Sequence, residues 1–228
     1  MKIAIIHGQS HKGSTYHIAD MLAKKLGGEV TEFFLPKDFH EFCIGCTNCF
    51  MKDESVCPHF EQLMPITKAM DKADVLIFAS PVYVYHVTGA MKVFLDHYGY
   101  RWIVHRPNEA MFKKQAICIS TAAGAGMKST NKDMADSMFF WGVGKIYNYG
   151  VGVHAVSFKE VPEKIKSKID KKTTSLAEKI KKKNGKINPG LKTKVFFYMM
   201  RLFMKKGWNQ SDVNYWKEKG WIEKKRPW

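Results

Sequence analysis

The sequence has no run of about 18 apolar residues, so we expect no membrane-spanning helix. It also lacks a Ser/His/Asp nucleophile elbow, an HExxH metal motif and a convincing pair of carboxylates, and these absences argue against hydrolase chemistry. The N-terminal sequence MKIAIIHGQS has no basic segment followed by a long apolar stretch. We therefore expect no secretory signal and a cytoplasmic location.

Acidic residues are scarce toward the C-terminus. The chain of 228 residues contains 37 Lys and Arg but only 21 Asp and Glu. The segment Lys159–Trp228 holds 21 of the basic residues and 7 of the acidic ones, so residues 1–158 are close to neutral. We predict a near-neutral domain over residues 1–185 and a helical, basic and aromatic tail over residues 186–228.

Five apolar runs of strand length alternate with helical patterns. The predicted strands are Lys2–His7, Glu29–Leu35, Asp74–Ser80, Gln115–Thr121 and Ile146–Val153. The predicted helices are Thr15–Leu26, Glu61–Lys72, Thr88–Tyr98, Ser129–Trp141 and Glu160–Lys183. This alternation predicts an α/β fold, in which a doubly wound, five-stranded parallel sheet carries helices on both faces.

Four of the five cysteines fall in an insert after the second predicted strand, over residues 43–57. Their spacing is Cys43-x2-Cys46-x2-Cys49-x7-Cys57. Three thiols at positions i, i+3 and i+6 converge only if the backbone coils around one point. The set fits an iron–sulfur cluster or, less often with this spacing, a zinc ion, and free thiols are a third alternative. An odd cysteine count, with one thiol (Cys118) in a buried strand, disfavours a disulfide framework.

Three predicted loops leave the carboxyl edge of the sheet, where doubly wound folds bind ligands. The first, GQSHKGST at residues 8–15, lacks the GxGxxG and P-loop signatures, but its hydroxyls and helix start suit a phosphate. A simple N-cap is the alternative for its hydroxyls. The second, SPVYVYH at residues 80–86, is aromatic and suits a planar ring. The third, TAAGAG at residues 121–126, lets the backbone approach a ligand. Together the loops predict an FMN site.

At these residues the chain resembles the NAD(P)H-dependent FMN reductases of flavodoxin-like fold, over roughly residues 1–155. GQSHKGST is similar to the family's GSPRxxGNT-type loop, although Gln9, Ser10 and His11 replace its Ser-Pro-Arg. SPVYVYHVTGAMKVFLD is similar to the family's SPVYxxxxxGxxKxFxDR segment. The resemblance implies that the FMN phosphate is held by Ser10, Lys12, Ser14 and Thr15. It implies that the ring is bordered by Pro81, Val82 and Tyr83, with Thr121, Ala122 and Gly124 opposite.

The cysteine insert narrows the resemblance to the iron–sulfur flavoproteins. This implies a 4Fe–4S cluster on Cys43, Cys46, Cys49 and Cys57, in a homodimer or tetramer that brings each FMN near a neighbouring subunit's cluster. The implied function is an FMN-dependent oxidoreductase that passes electrons from NAD(P)H, with or without the cluster, to a small-molecule or protein acceptor. The flavin carries the chemistry, so no catalytic side chain is predicted. The alternative is an electron carrier that ferredoxin reduces and that has no small-molecule substrate.

The tail leaves three interpretations open. Residues 191–206 are apolar nearly all round with basic ends, and they precede Trp208, Trp216, Trp221 and Trp228. The favoured interpretation is packing on the same domain or on the next subunit. Contact with a membrane surface is the second interpretation. Contact with nucleic acid is the least favoured.

Overall fold

The computed structural model describes residues 1–207 and 209–228. Strands β1 to β5 are Lys2–His7, Glu29–Phe34, Val75–Ala79, Gln115–Ala122 and Lys145–Gly152. Helices α1 to α8 are Ser14–Leu26, Asn48–Met51, Phe60–Lys72, Gly89–Asp96, Met127–Phe140, Glu163–Lys183, Leu191–Lys205 and Gln210–Glu218. Each predicted strand and helix is present with ends shifted by a few residues at most. Helices α7 and α8 lie within the predicted helical tail, and the short helix α2 has no counterpart among the predictions.

The strands form one parallel sheet in the order β2-β1-β3-β4-β5. In the centre of the sheet, Ile3 pairs with Val30 on one side and with Val75 on the other. The chain first adds β2 beside β1 and then returns to add β3 on the opposite side, so the order reverses between β1 and β3. This is the flavodoxin-like order, and it confirms the predicted doubly wound sheet.

Apolar layers cover both faces of the sheet because successive strand residues point to opposite sides. Helices α3, α4 and α5 pack on the face that contains Ile6, Phe78 and Cys118. Helices α1 and α6 pack on the face that contains Ile5 and Ile77. Strands buried on both faces explain why the sequence shows continuous apolar runs. Burial raises the pKa of the Cys118 thiol, in keeping with an inert core residue.

The segment after α6 packs on its own chain. Helices α7 and α8 cover the connection between α4 and β4, where their aromatic side chains surround Ile103 and Phe112. Trp216 and Trp221 are buried there, and the ring of Trp216 stacks on Phe197 with centroids 4.8 Å apart. Trp208 lies outside the described residues. The predicted division between residues 185 and 186 falls in the turn that joins α6 to α7, and it stays a prediction.

Candidate functional site

The loops after β1 and β3 are tied together at the carboxyl edge of the sheet. The Gly8 amide donates to the Ala79 carbonyl at 2.7 Å, and the Thr88 hydroxyl donates to the Gly8 carbonyl at 2.5 Å. A Cβ on Gly8 would lie 3.0 Å from the hydroxyl oxygens of Ser80 and Thr88. The close approach of these loops therefore favours glycine at this position. The junction lies at the point where strand order reverses, which is where doubly wound sheets bind ligands.

The first turn of α1 presents a binding surface for an anion. Its N-cap is Gly13, which provides no side-chain hydrogen bond, and the turn contains no acidic residue. The first amides of a helix have no intrahelical acceptor, so they can donate to a ligand. Lys12 is exposed beside them, with its Nζ 4.9 Å from the centroid of the Tyr16 ring. The positive helix end and the Lys12 ammonium together favour a phosphate here.

The hydroxyls predicted at this loop are used in different ways. Thr15 Oγ1 lies 2.6 Å from Thr121 Oγ1, and this buried pair joins the start of α1 to the end of β4. The Ser10 hydroxyl donates to the Leu35 carbonyl at 3.3 Å. Ser14 is the first residue of α1 and is 8% exposed. Lys12 and Ser14 thus lie at the helix N-terminus, while the Ser10 and Thr15 hydroxyls make hydrogen bonds within the protein.

The loop after β3 contains a tight turn with strained backbone. Tyr83 and His86 exchange two backbone hydrogen bonds, at 2.9 and 3.0 Å, across Val84 and Tyr85, which have φ of 47° and 67°. A left-handed φ is uncommon for a β-branched residue such as Val84, and strain of this kind gathers at functional sites. The Tyr83 hydroxyl donates to Gln9 Oε1 at 3.1 Å. This contact connects the aromatic turn to the first loop.

The glycine-bearing loop after β4 supports the aromatic turn. Gly126 has φ of 96°, and a Cβ there would lie 2.5 Å from Val82 Cγ1. The Ser129 hydroxyl donates to the Tyr85 carbonyl. A Cβ on Gly124, by contrast, would meet nothing within 4 Å. The residues predicted to border a flavin ring lie at one edge of the sheet, on the aromatic loop, at the end of β4 and on the loop that follows it: Pro81, Val82, Tyr83, Thr121, Ala122 and Gly124.

Three residues at this edge were missed by the sequence interpretation. Thr88 contacts Gly8, Gln9 contacts Tyr83, and Gly126 makes room for Val82. Thr88 had a usable signal because it precedes a helical pattern, where threonine is a common N-cap. A second glycine after Gly124 was a sign of special backbone at Gly126. Gln9 had no signal, since its partner lies on a loop distant in sequence.

The four cysteines of the insert line a single cavity of about 60 Å³. Gly45 and Thr47 lie between the first three cysteines and have left-handed φ of 65° and 57°. The backbone therefore coils between these cysteines. Within residues 1–207 and 209–228, no group of three His, Cys, Asp or Glu side chains is arranged to hold a metal ion. The thiols share a cavity without converging on one point.

Cys49 ionises less readily than an ordinary thiol. Partial burial, together with the neighbouring Cys57, Cys43 and Cys46, raises the pKa of Cys49 to about 11. Its thiolate is disfavoured unless a positively charged group compensates it. A metal ion or an iron–sulfur cluster supplies that compensation, because it binds the deprotonated form. The donor chemistry of the insert thus fits such a group.

A histidine pair forms one wall of the cysteine cavity. His97 Nδ1 lies 2.8 Å from the Val93 carbonyl, which requires a proton on that nitrogen. His97 Nε2 then accepts from His59 Nδ1 at 2.9 Å. Burial lowers the pKa of His97, in keeping with a neutral ring. Both ring nitrogens of His97 are engaged in hydrogen bonds within the protein, so we interpret His97 as a structural part of the cavity wall.

Comparison with known proteins agrees with the site. The sequence profile of the NADPH-dependent FMN reductase family matches residues 1–157, which confirms the resemblance seen in the loops. An iron–sulfur flavoprotein from Archaeoglobus fulgidus is 27% identical over 235 residues, covering 97% of this chain and 100% of that protein.

Solved structures show the same fold. A flavone reductase superposes with a TM-score of 0.58 at 19% identity, covering 79% of this chain and 63% of that chain. An azoreductase from Bacillus anthracis superposes with a TM-score of 0.56 at 13% identity, covering 78% of this chain and 100% of that chain. From the profile match over residues 1–157 and the loops within it, the chain belongs to the NADPH-dependent FMN reductase family.

Proposed function

We propose that this protein is an FMN-dependent oxidoreductase that takes electrons from NADH or NADPH and passes them to a small-molecule or protein acceptor. One observation carries the proposal: three loops meet at the β1/β3 switch point beside an α1 N-terminus without a side-chain cap or an acidic residue. Membership of the FMN reductase family supports the same cofactor. Bound FMN would supply the redox chemistry, accepting electrons in pairs and releasing them singly or in pairs.

The phosphate would be bound at the start of α1. Lys12 offers an ammonium, Ser14 a hydroxyl, and the first helical amides donate along the helix axis. Thr15 would contribute its amide, because its hydroxyl is bonded to Thr121. Ser10, whose hydroxyl donates to the Leu35 carbonyl at 3.3 Å, would complete the set from the exposed side of the loop by exchanging that bond for the phosphate. This division between backbone and side-chain donors predicts that charge at the helix start matters more than any single hydroxyl.

The flavin ring would be bordered by two groups of residues. Pro81, Val82 and Tyr83 lie on the aromatic loop. Thr121 and Ala122 lie at the end of β4, and Gly124 lies on the loop that follows it. Their task is to orient the ring and to limit the access of water. The hydrogen bond of Tyr83 to Gln9 and the packing of Val82 against Gly126 support these positions. We assign no catalytic side chain.

We propose that the four cysteines, Cys43, Cys46, Cys49 and Cys57, hold a 4Fe–4S cluster. Their shared cavity, the coiled backbone and the likeness to a protein named iron–sulfur flavoprotein support this. Zinc requires four sulfurs at about 2.3 Å from one point. Cluster thiolates bind separate irons and stay farther apart. The compact Cys-x2-Cys-x2-Cys spacing is used less often for zinc, which favours a cluster.

A second candidate function is an electron carrier that ferredoxin reduces. The likeness to an iron–sulfur flavoprotein along 97% of this chain favours it, because that name specifies redox groups and no substrate. The test is anaerobic purification, followed by assay of NADH and NADPH oxidation with excess FMN or a quinone. Turnover with either nicotinamide supports the oxidoreductase. Bound FMN without turnover favours the carrier, and failure to bind FMN would overturn both.

We propose that the protein is a homodimer or tetramer that joins through the flavin edge. The aromatic turn exposes 92% of Val84, and the cysteine insert exposes 74% of Phe42 and 68% of Ile44. Apolar surface of this kind marks contact sites. A second copy that covers both patches would bring a flavin edge near a cysteine insert. Val84→Asp should then reduce the mass measured by light scattering, and an unchanged mass would contradict this interface.

The outer face of α7 carries a further proposed contact. Leu191, Val195, Met199 and Leu202 are 78%, 58%, 43% and 61% exposed, and their spacing places them on one side of the helix. The opposite side is buried. The helix has no acidic residue, and basic side chains flank the exposed stripe: Lys192, Lys194, Arg201 and Lys205.

We propose that this stripe contacts an anionic lipid surface on the cytoplasmic side. Two copies that met through it would bring like charges together, which disfavours self-association there. Among the described residues, no helix is long and apolar enough to cross a bilayer. The protein should co-sediment with phosphatidylglycerol vesicles at low salt, and a Val195→Ser, Leu202→Ser double variant should not. Equal binding to neutral vesicles, or no binding at all, would contradict the proposal.

A further inference from the structure

The four-residue helix α2 contains Cys49 and depends on other parts of the chain. The last four carbonyls of any helix have no intrahelical partner, and a single turn is not stable by itself. One of the four, the Asn48 carbonyl, accepts from the Lys52 amide at 2.9 Å. The carbonyls of Cys49, Phe50 and Met51 remain to be satisfied.

Each of these three carbonyls accepts a hydrogen bond from a side chain far along the chain. Two of the donors come from the start of α8: Asn209 is its N-cap, and Ser211 lies in its first turn. The bonds run from Arg106 to the carbonyls of Cys49 and Phe50, from Asn209 Nδ2 to Phe50 at 3.2 Å, and from Ser211 Oγ to Met51 at 2.9 Å. We call Arg106, Asn209 and Ser211 the insert clamp.

Arg106 is itself fixed by α8. Its guanidinium lies 2.6 Å from Asp212, with side-chain exposures of 7% and 0%. The second Asp212 oxygen accepts from His105 Nδ1 at 2.8 Å. The indole of Trp216 donates to the His105 carbonyl at 2.7 Å. The clamp is therefore built on the buried core of the C-terminal extension, so its three donors cannot shift independently.

We propose that the insert clamp consists of positioning residues for the cysteine site, so that the C-terminal extension is part of that site. Without these bonds α2 would fray. Cys49, which lies in α2, and Cys46, which precedes it, would then lose their fixed positions. The inference that the extension serves the cluster rests on the proposed 4Fe–4S cluster. The inference that the clamp orders the cysteine insert is independent of the cluster. Separate experiments test these two inferences.

The first test is hydrogen exchange in the cluster-free, full-length protein. Asn209→Asp keeps the side-chain oxygen that caps α8 but removes the amide donor to Phe50. Exchange in residues 48–57 should become a few-fold faster, because one of the two hydrogen bonds to the Phe50 carbonyl is lost while the bond from Arg106 remains. Exchange in α8 should not change. Ser211→Ala removes the hydrogen bond to the Met51 carbonyl and should also speed exchange in residues 48–57. Ser211→Thr keeps a hydroxyl and should restore the slow exchange.

The matched control is Gln210→Ala, since Gln210 lies between the two clamp residues but bonds to Asn214 instead. Unchanged exchange over residues 48–57 in both Asn209→Asp and Ser211→Ala would overturn the clamp. In the reconstituted protein, the clamp variants should release iron to a chelator faster than wild type and Gln210→Ala. Equal release rates would overturn the role of the extension in the cluster site. Wild type without iron and sulfide would instead refute the cluster, and exchange would still decide the clamp.

Discussion

The Arg106 guanidinium lies 2.6 Å from the Asp212 carboxylate, and the Asp212 side chain is fully buried. The two residues come from different parts of the chain: Arg106 from the connection before β4, and Asp212 from the first turn of α8. The net contribution of a buried ion pair to stability is small, but the loss of one partner leaves an uncompensated buried charge. The C-terminal extension is thus joined to the flavodoxin-like domain by charge as well as by aromatic packing.

Replacing Asp212 with alanine should lower the free energy of unfolding by about 3–5 kcal/mol, because Arg106 stays buried without its partner. Urea denaturation followed by circular dichroism measures this. Glu218→Ala, at the exposed end of the same helix, should change the free energy by no more than about 0.5 kcal/mol. A loss below about 1 kcal/mol in Asp212→Ala would mean that water reaches Arg106 after the substitution.

The glycines of the loop after β4 offer a matched pair. Gly126→Ala introduces a Cβ 2.5 Å from Val82 Cγ1 at a residue with φ of 96°, so it should displace the aromatic loop. FMN affinity should fall by about tenfold or more, and the free energy of unfolding should fall by about 1–3 kcal/mol. Gly124→Ala meets no atom within 4 Å and should preserve stability. Fluorescence titration of FMN and urea denaturation measure both effects. Wild-type FMN affinity in Gly126→Ala would contradict this role for the aromatic loop.

The sheet and the location of the loops could be predicted from the sequence because their signals are local. A run such as Lys2–His7 is apolar at every position from Ile3 to Ile6, which is typical of a strand buried on both faces. Once five such runs alternate with helices, the parallel topology brings the loops that follow β1, β3 and β4 to one edge. The residues predicted on these loops therefore lie near one another.

The contacts that shape the site could not be predicted because they depend on tertiary structure. The hydroxyls of Thr15 and Thr121 meet only after α1 and β4 have packed. The left-handed conformation of Val84 opposes the local preference of a β-branched residue, so no sequence pattern indicates it. Helix α8 has no strong apolar stripe, and its contact with the cysteine insert through Ser211 arises only from the folded chain.

A negative charge at the start of α1 should oppose FMN binding. In Ser14→Asp, the positive end of the helix offsets part of the cost of placing a carboxylate at a residue that is only 8% exposed. The same charge should repel the FMN phosphate and weaken FMN binding by tenfold or more. Ser14→Ala, which only removes the hydroxyl, should weaken binding much less. Wild-type FMN affinity in Ser14→Asp would place the phosphate elsewhere.

Stability should fall as the pH is lowered from 7 toward 5, in part because of His7. Burial lowers the pKa of His7 below its ordinary value of 6.5, although a contact of 3.0 Å with Glu32 opposes this. As the pH falls through about 6.5, His7 of the unfolded chain takes up a proton, while His7 of the folded protein is still neutral. The unfolded state binds more protons, so the free energy of unfolding falls. His7→Gln should reduce the slope of unfolding free energy against pH in this range. Equal slopes would mean that other groups, such as His97, account for the pH dependence.

The cysteines should behave as a unit, whereas the flavin site should be independent of them. Cys46→Ser replaces a thiolate with a much poorer iron ligand, so we expect the loss of iron and sulfide after reconstitution. FMN should stay bound, because its proposed contacts lie on the loops after β1, β3 and β4. Oxidation of NADH or NADPH with excess FMN should then continue.

The matched control for Cys46→Ser is Cys118→Ser, since Cys118 is buried in β4 and does not line the cysteine cavity. Its iron content should equal that of wild type, although the buried hydroxyl should cost some stability. Iron, sulfide and flavin are measured on the same anaerobic samples, so loss of the cluster is separated from misfolding by the retained FMN. If Cys46→Ser kept its iron and sulfide, the four-cysteine site would be wrong. If it lost FMN as well, the cysteine insert and the flavin loops would be one site.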